Sequence, residues 1–302
     1  LPILGTLLFG GYKDHIKPAE GKNEGVHTLK NIDFIYMINL DKRPEKWELS
    51  QKQLKPYNIT PYRFSAIDGW QLSVEAINDV GLKYTPEMQG GTMATSYHTL
   101  KESHERIETL GQTYFCHCTA RGTIGILLSH LSVLTDAYES GYETVWVMED
   151  DIEVLRNPTL ISTHIDELDA LVGKKGWDIL FTDRDIRGAD GKYVPCYSYA
   201  PRPDFFGPHN RYALRYRVGQ FEKVGARYGA HSMIIRRSGI RKILDYFEKR
   251  DLFLPYDFEY FMPPGIRLYT IPNSIVSNLP KALSDNGIHY VPNKSQNSVS
   301  FE

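Results

Sequence analysis

Three acids in a row, Glu149, Asp150 and Asp151, close the apolar run Val145-Trp-Val-Met148. Adjacent carboxylates repel one another and lose hydration when crowded, a cost that a cation or a catalytic proton relieves. Oxygen donors of this hardness select Mg²⁺ or Mn²⁺, ions that also take up substrate phosphates. The plainer alternative is a solvated acidic turn. A second acidic pair, Asp183 and Asp185, carries Arg184 between its members, so self-neutralisation competes with metal binding there. Further on, Asp257 and Glu259 stand among Tyr256, Phe258 and Tyr260. Burial in that setting raises a carboxylate's proton affinity towards that of a useful general base. If the two acids share a strand they share a face, and geometry does not separate them. His130 falls inside an apolar helical pattern, where a packed, hydrogen-bonded histidine that holds the helix to its sheet is the expected role.

The elements that must position these groups follow from periodicity. Residues 145–148 are β-formers with no polar alternation, which predicts a strand buried on both faces. Ligands of open α/β sheets gather just outside the carboxyl ends of strands, which is where the three acids would then lie. Before it, Phe34 to Leu40 predicts a strand, Arg43 to Leu54 a helix with Pro44 in its first turn and Asn39 or Asp41 as its cap, and Tyr62 to Ile67 a second strand ending at the turn Asp68-Gly69. That is a βαβ unit. Ser73 to Val80 and Tyr97 to Leu110 predict helices around a glycine-bearing loop, Lys83 to Thr95. From Gly122 to Gly141, Ile124, Leu127, Leu128, Leu131, Leu134 and Tyr138 recur at helical spacing, with the helix N-terminus expected across the sheet layer from the acids. Pro158 to Val172 predicts a helix, Trp177 to Thr182 a strand, and residues 186–220 a hairpin or irregular lid. Gly229 to Ile235 predicts a strand, Ser238 the cap of a helix over Ile240 to Lys249, and Arg267 to Ile271 a last strand. The tail from Asn278 reads as loosely ordered and able to close over a ligand.

Composition narrows the class. A chain of 302 residues, 41% hydrophobic, can bury one large α/β core or two smaller ones. Its 35 basic and 37 acidic residues are mixed along the chain, so nothing favours a nucleic-acid partner. Cys116, Cys118 and Cys196 make an odd number, against a disulfide framework, and Cys116-His117-Cys118 has the wrong spacing for a structural zinc loop. A reduced, cytoplasmic compartment is therefore the default. No run of about 18 apolar residues marks a transmembrane helix. Leu1 to Gly11 is apolar and reads either as the end of a trimmed signal or anchor, which would bring peripheral membrane association and a secretory-type compartment, or as an arm packed on the domain. The expected division is an arm or linker over 1–30, one domain over 31–285 and a tail over 286–302.

Four segments, in order, resemble landmarks of glycosyltransferase family 25. They are Tyr36-Met-Ile-Asn-Leu-Asp-Lys-Arg-Pro44, Gly122-Thr-Ile-Gly-Ile-Leu-Leu-Ser-His130, Val147-Met-Glu-Asp-Asp-Ile152 and Leu254-Pro-Tyr-Asp257. The chain departs from the pattern at Ile126, where the family has cysteine, and at Lys42, where arginine is common. The resemblance implies a GT-A-like (Rossmann-like) α/β fold, a mixed central sheet flanked by helices. It also implies Mn²⁺- or Mg²⁺-dependent inverting transfer of a hexose, galactose in the best-known members, from a UDP-sugar to a glycan or glycoprotein acceptor. Under it, Asn39, Leu40, Arg43, Asp68, Gly69, Glu149 and Asp150 bind the nucleotide sugar, Asp150 and Asp151 hold the metal, and Asp257 is the base with Glu259 as competitor. Two rivals remain: a metal-dependent phosphohydrolase or nucleotidyltransferase, and an inactive sugar-binding relative.

Overall fold

In the computed structural model, which describes residues 11–207 and 209–287, the strand that carries the acids runs through the middle of the molecule. In chain order the elements are β1 (Phe34–Asn39), α1 (Pro44–Leu54), β2 (Tyr62–Ser65), α2 (Val74–Val80), β3 (Leu82–Lys83), β4 (Met93–Ser96), β5 (Ser103–Arg106), β6 (Thr113–Cys116), α3 (Arg121–Glu139), β7 (Thr144–Glu149) and β8 (Ile152–Val154). They continue with α4 (Leu160–Val172), β9 (Ile179–Phe181), β10 (Ile186–Arg187), β11 (Tyr193–Val194), β12 (Arg215–Val218), β13 (Phe221–Val224), β14 (Ser232–Arg236), α5 (Arg237–Glu248), α6 (Tyr256–Glu259), β15 (Leu268–Thr270) and β16 (Val276–Asn278).

Eight strands form the main sheet in the order β12-β13-β15-β9-β14-β7-β1-β2. β7 runs parallel to β1, which runs parallel to β2, but antiparallel to β14 on its other side. Val145, Trp146, Val147 and Met148 are all inaccessible to solvent, the doubly buried strand that their composition predicts. Alternate side chains feed two cores. Tyr36, Ile38, Val145 and Val147 pack with α3 and α5 on one face, and Ile35, Met37, Trp146 and Met148 pack with Leu54 of α1 and Ile161, Ile165 and Leu168 of α4 on the other. The sheet is therefore mixed and flanked by helices on both faces.

Several sequence-based expectations need correcting. Tyr97 to Leu110 is not helical: it contains β5, the outer strand of a small antiparallel sheet ordered β3-β6-β4-β5. Its Leu, Lys, Glu and Arg residues favour a helix by propensity, yet charges suit a sheet edge because they discourage further strand addition. Ser238 caps nothing; its hydroxyl donates to Asp178 Oδ1 at 2.6 Å, and Arg236 occupies the cap position of α5 without a side-chain bond. Neither Asn39 nor Asp41 caps α1, whose cap position is Arg43, also without a side-chain bond. Asp257 and Glu259 lie on the single turn α6, where positions two apart diverge, and not on a strand.

The segment read as a linker packs on the domain: Tyr12 is buried against Phe247, and Lys22 Nζ bonds Asp136 Oδ1 at 2.6 Å. Leu1 to Gly10, and the tail beyond Gly287, lie outside the described residues. No helix among the described residues is long and apolar enough to cross a membrane.

Candidate functional site

A two-lobed cleft lies at the carboxyl end of β7. Because β14 is antiparallel to β7, the residues that lead into β14 reach the same edge of the sheet as the acids that leave β7. One lobe, of about 590 Å³, opens beside the ends of β1 and β2 and is lined by Leu40, Lys46, Asp68, Gly69, Trp70 and the three acids, among others. The second, of about 800 Å³, opens beside the start of β14, with His231, Tyr256, Asp257 and Lys281 on its wall. Ile126, Glu149, Asp151 and Asn286 line both, so the acids form the waist of one continuous cleft.

Helix α3 approaches the first lobe from the acids' side of the sheet, contrary to the expectation from sequence. Gly122 lines the first lobe, Thr123 the second and Ile126 both. The close approach depends on glycine. A Cβ on Gly69 would lie 1.8 Å from the Arg121 carbonyl oxygen, and one on Gly125 would lie 2.4 Å from the Gly69 nitrogen. Ser129 ties the same joint by accepting from Ile67 N at 2.8 Å.

Each acid has its own setting. Glu149 Oε1 accepts from His130 Nε2 at 2.8 Å. Burial pushes Glu149 up, but the hydrogen bond and charge of His130, with that of His231, outweigh burial and hold it below the usual carboxylate range. Asp150 Oδ2 accepts from Asn39 Nδ2 at 2.7 Å, and Ser50 Oγ donates to the Asp150 carbonyl at 2.7 Å. Its pKa is nonetheless raised, by burial first. Asp151 is pushed up to about 7 by burial and then by the charge of Glu149. Its Oδ1 is buried with no hydrogen-bond partner among the described residues. Across the waist, Asp257 is pushed up to about 6, by burial and then by Glu149. His130 is fully buried and stacks on Tyr256, the residue before Asp257, with ring centroids 4.1 Å apart. Its expected role as a packed, hydrogen-bonded residue holds, and its partner is one of the acids.

The structure brings together Leu40, Asp68, Gly69, Glu149, Asp150, Asp151 and Asp257. Asn39 is buried behind the wall, where it bonds both Asp150 and the Arg43 carbonyl. Arg43 stands off the lining and pairs with Glu45 and Asp285, while Lys46, three residues on, faces the first lobe and bonds Asp285 Oδ2 at 2.6 Å. Glu259 is removed from the cleft altogether. It is fully buried, receives Leu254 N at 2.9 Å and pairs with the buried Arg202, so it does not compete with Asp257. Asp183 and Asp185 are likewise committed, Asp183 to Arg227, His231 and Ser277, and Asp185 to Arg215.

Lys46, Trp70, His231 and Asn286 escaped sequence reading. For Lys46 the signal was present: it follows Arg43 by one helical turn, at the start of a helix beside the acids. His231 carried none, because only the pairing of β14 with β7 delivers it.

A family model described as glycosyltransferase family 25 (LPS biosynthesis protein) matches residues 32–260. The chain belongs to glycosyltransferase family 25. A "glycosyltransferase 25 family member" from Aedes aegypti is 29% identical over 177 residues, 56% of this chain and 25% of the relative. One from Drosophila melanogaster is 28% identical over 139 residues, 46% of this chain and 19% of the relative. A human protein named "inactive glycosyltransferase 25 family member 3" is 25% identical over 179 residues, 56% of this chain and 26% of the relative. The match thus spans about a fifth to a quarter of each of these family 25 relatives.

Proposed function

We propose that this chain is a glycosyltransferase that moves a hexose, galactose in the first instance, from a UDP-sugar to a hydroxyl of a glycan or glycoprotein, with inversion at the anomeric carbon and with Mn²⁺ or Mg²⁺. The observation that carries the reading is the cleft whose waist is made of carboxylates. One lobe suits a nucleoside diphosphate and the other faces a buried acid of raised pKa. We read the mixed sheet with this cleft at its β1-β7 edge as a GT-A-like arrangement.

The donor set fits a divalent cation. Asp150 keeps one oxygen free of Asn39, Asp151 has a buried oxygen without a partner, and burial first, with the charge of Glu149, raises both, a cost that a bound cation would relieve. Among the described residues no third side-chain ligand joins them, so the remaining oxygens would come from the substrate diphosphate and water. Such a cation supplies Lewis-acid stabilisation of the diphosphate leaving group. The chain's own residues do the rest. Asn39 and Ser50 hold Asp150 in place, and His130 holds Glu149, leaving it as a charged acceptor for a sugar or ribose hydroxyl. Lys46 offers positive charge to a phosphate oxygen in the first lobe. Asp257 accepts the proton of the acceptor hydroxyl on a carboxylate oxygen, and a positioned base of this kind contributes about 10²–10⁴-fold in rate.

A second reading, nucleotide-sugar binding without transfer, is favoured by the relatives named inactive. Melting a panel of protein samples with UDP-galactose, UDP-glucose, their N-acetylated forms and GDP-mannose, each with and without Mn²⁺, tests the shared part. A ligand that binds only the folded state raises the melting temperature. The proposal expects a UDP-sugar to do so and only with Mn²⁺, and product formation to follow on offering a hydroxyl acceptor. Stabilisation without product supports the second reading. No stabilisation by any nucleotide sugar contradicts both.

A further inference from the structure

The turn between β6 and α3 carries chemistry that sugar transfer does not use. Cys116 ends β6, and the backbone folds back so that Thr119 N donates to the Cys116 carbonyl at 2.8 Å. The fold sets the sulfurs of Cys116 and Cys118 3.0 Å apart. Both side chains are partly exposed and His117 between them is exposed, so a small molecule reaches the pair. His117 Nδ1 lies 3.8 Å from the Cys116 sulfur. The third thiol, Cys196, is buried elsewhere and donates to the Ser198 carbonyl at 3.2 Å.

A disulfide needs its sulfurs about 2.05 Å apart, so the pair must close by roughly 1 Å. We propose that Cys116 and Cys118 form a reversible dithiol–disulfide site that exchanges with low-molecular-weight disulfides of the glutathione class. The Cys116 thiolate attacks one sulfur of glutathione disulfide, forming a protein–glutathione bond and expelling one glutathione thiolate, which is then protonated. Cys118 loses its proton and attacks the Cys116 sulfur, expelling the second glutathione. Two protein thiols are thereby oxidised to one disulfide, and one glutathione disulfide is reduced to two thiols. The order of attack follows from the setting. The hydrogen bond with Cys118 and the neighbouring His117 bring Cys116 below the ordinary thiol range, whereas the same bond and burial push Cys118 up. With one residue between the cysteines the ring is tight, and strained disulfides are the easily reduced ones. The site is therefore a labile bond, not a structural one.

Its place in the fold gives the exchange a route to the cleft. Cys116 N and Thr119 Oγ1 both donate to the Phe253 carbonyl, at 2.8 and 3.2 Å, just ahead of the turn that bears Asp257. On its other side the turn runs directly into α3, whose first residues line both lobes.

The test equilibrates the full chain in glutathione buffers from fully reduced to fully oxidised, quenches with acid, and labels thiols with a maleimide after denaturation. Intact mass and peptide mapping then read the result. The expected change is a joint loss of two of the three labels, with label kept only on Cys196, no glutathione retained, a Cys116–Cys118 linked peptide, and full reversal by reduced glutathione. Cys118→Ser should trap one glutathione on Cys116, and Cys116→Ser should react about tenfold more slowly. Three labels at the most oxidising ratio would overturn the proposal. So would a wild-type chain that holds glutathione with no linked peptide, and the wild-type arm decides even where a serine variant fails to fold.

Discussion

The residue proposed as the general base is Asp257, and two measurements isolate it. A carboxylate must be deprotonated to accept a proton, so with a pKa of about 6 the transfer rate should fall about tenfold per pH unit below that value and level off above it. Asp257→Asn should lose about 10²–10⁴-fold in rate while binding UDP and metal as before, and a rate-against-pH profile of both forms checks this. An active Asp257→Asn enzyme, or a product that retains the donor's anomeric configuration, would contradict the assignment. Glu259→Gln should behave in the opposite way. Removing its charge leaves the buried Arg202 with Asp204 as its carboxylate partner and weakens one charge-assisted bond, at a cost of about 1.5–3 kcal/mol of stability, read in urea, with turnover per folded molecule little changed. Sequence alone picked out both acids because both sit among aromatics, but it had no means to separate them. What separates them is Arg202, some sixty positions upstream, and a one-turn helix that points the two side chains apart.

At the scale of elements, the joint between α3 and the turn after β2 shapes the first lobe. Gly125→Ala should force the helix off Gly69 and Ile67, at a cost of about 1–3 kcal/mol. UDP affinity should fall with it by about tenfold, equivalent to about 1.4 kcal/mol. Gly141→Ala is the control: at φ +77° it strains the backbone by about 1 kcal/mol but touches nothing near the cleft, so UDP affinity should not change. Calorimetric titration of UDP beside denaturant melts of both variants reads the contrast. Six main-sheet strands (β1, β2, β7, β9, β14 and β15) and the long helices were legible because their apolar periods are unbroken, as in Val145 to Met148 and Ile124 to Tyr138, whereas β12 and β13 fell in or beside the stretch read as a hairpin or lid. The small sheet around β5 was not, since a four-residue edge strand rich in Glu, His and Arg carries neither the alternation nor the composition of a strand. The side on which α3 meets the acids is a matter of chain crossing, and no local pattern encodes it.

At the scale of the whole molecule, buried ion networks pin the sheet and set its response to acid. Burial alone would push Asp178 up, but hydrogen bonds from Arg267, Lys242 and Ser238 outweigh it and hold it below the usual range. Asp183 is held down likewise against burial, by Arg227, His231 and Ser277. A carboxylate whose native pKa lies below its unfolded value stabilises the fold above the unfolded pKa, and that stability is lost as pH falls through the native one. The melting temperature should therefore drop as pH is lowered below about 4. Asp178→Asn should lose about 1.5–3 kcal/mol at pH 7, and its deficit should shrink on acidification, which melts across a pH series will show. Family membership was legible in four short segments because they carry the cleft's waist and both its walls, whereas the acceptor has no comparable mark in either sequence or fold. The central claim is that nucleotide and metal bind together at Asp150 and Asp151, and calorimetry of UDP with wild-type protein and Asp151→Asn, each with and without Mn²⁺, tests it most directly. The expected result is Mn²⁺-dependent binding in the wild type, loss of that dependence in a variant that melts no lower, and no tight binding of either form without metal; unchanged Mn²⁺ and UDP binding by Asp151→Asn would overturn the assignment.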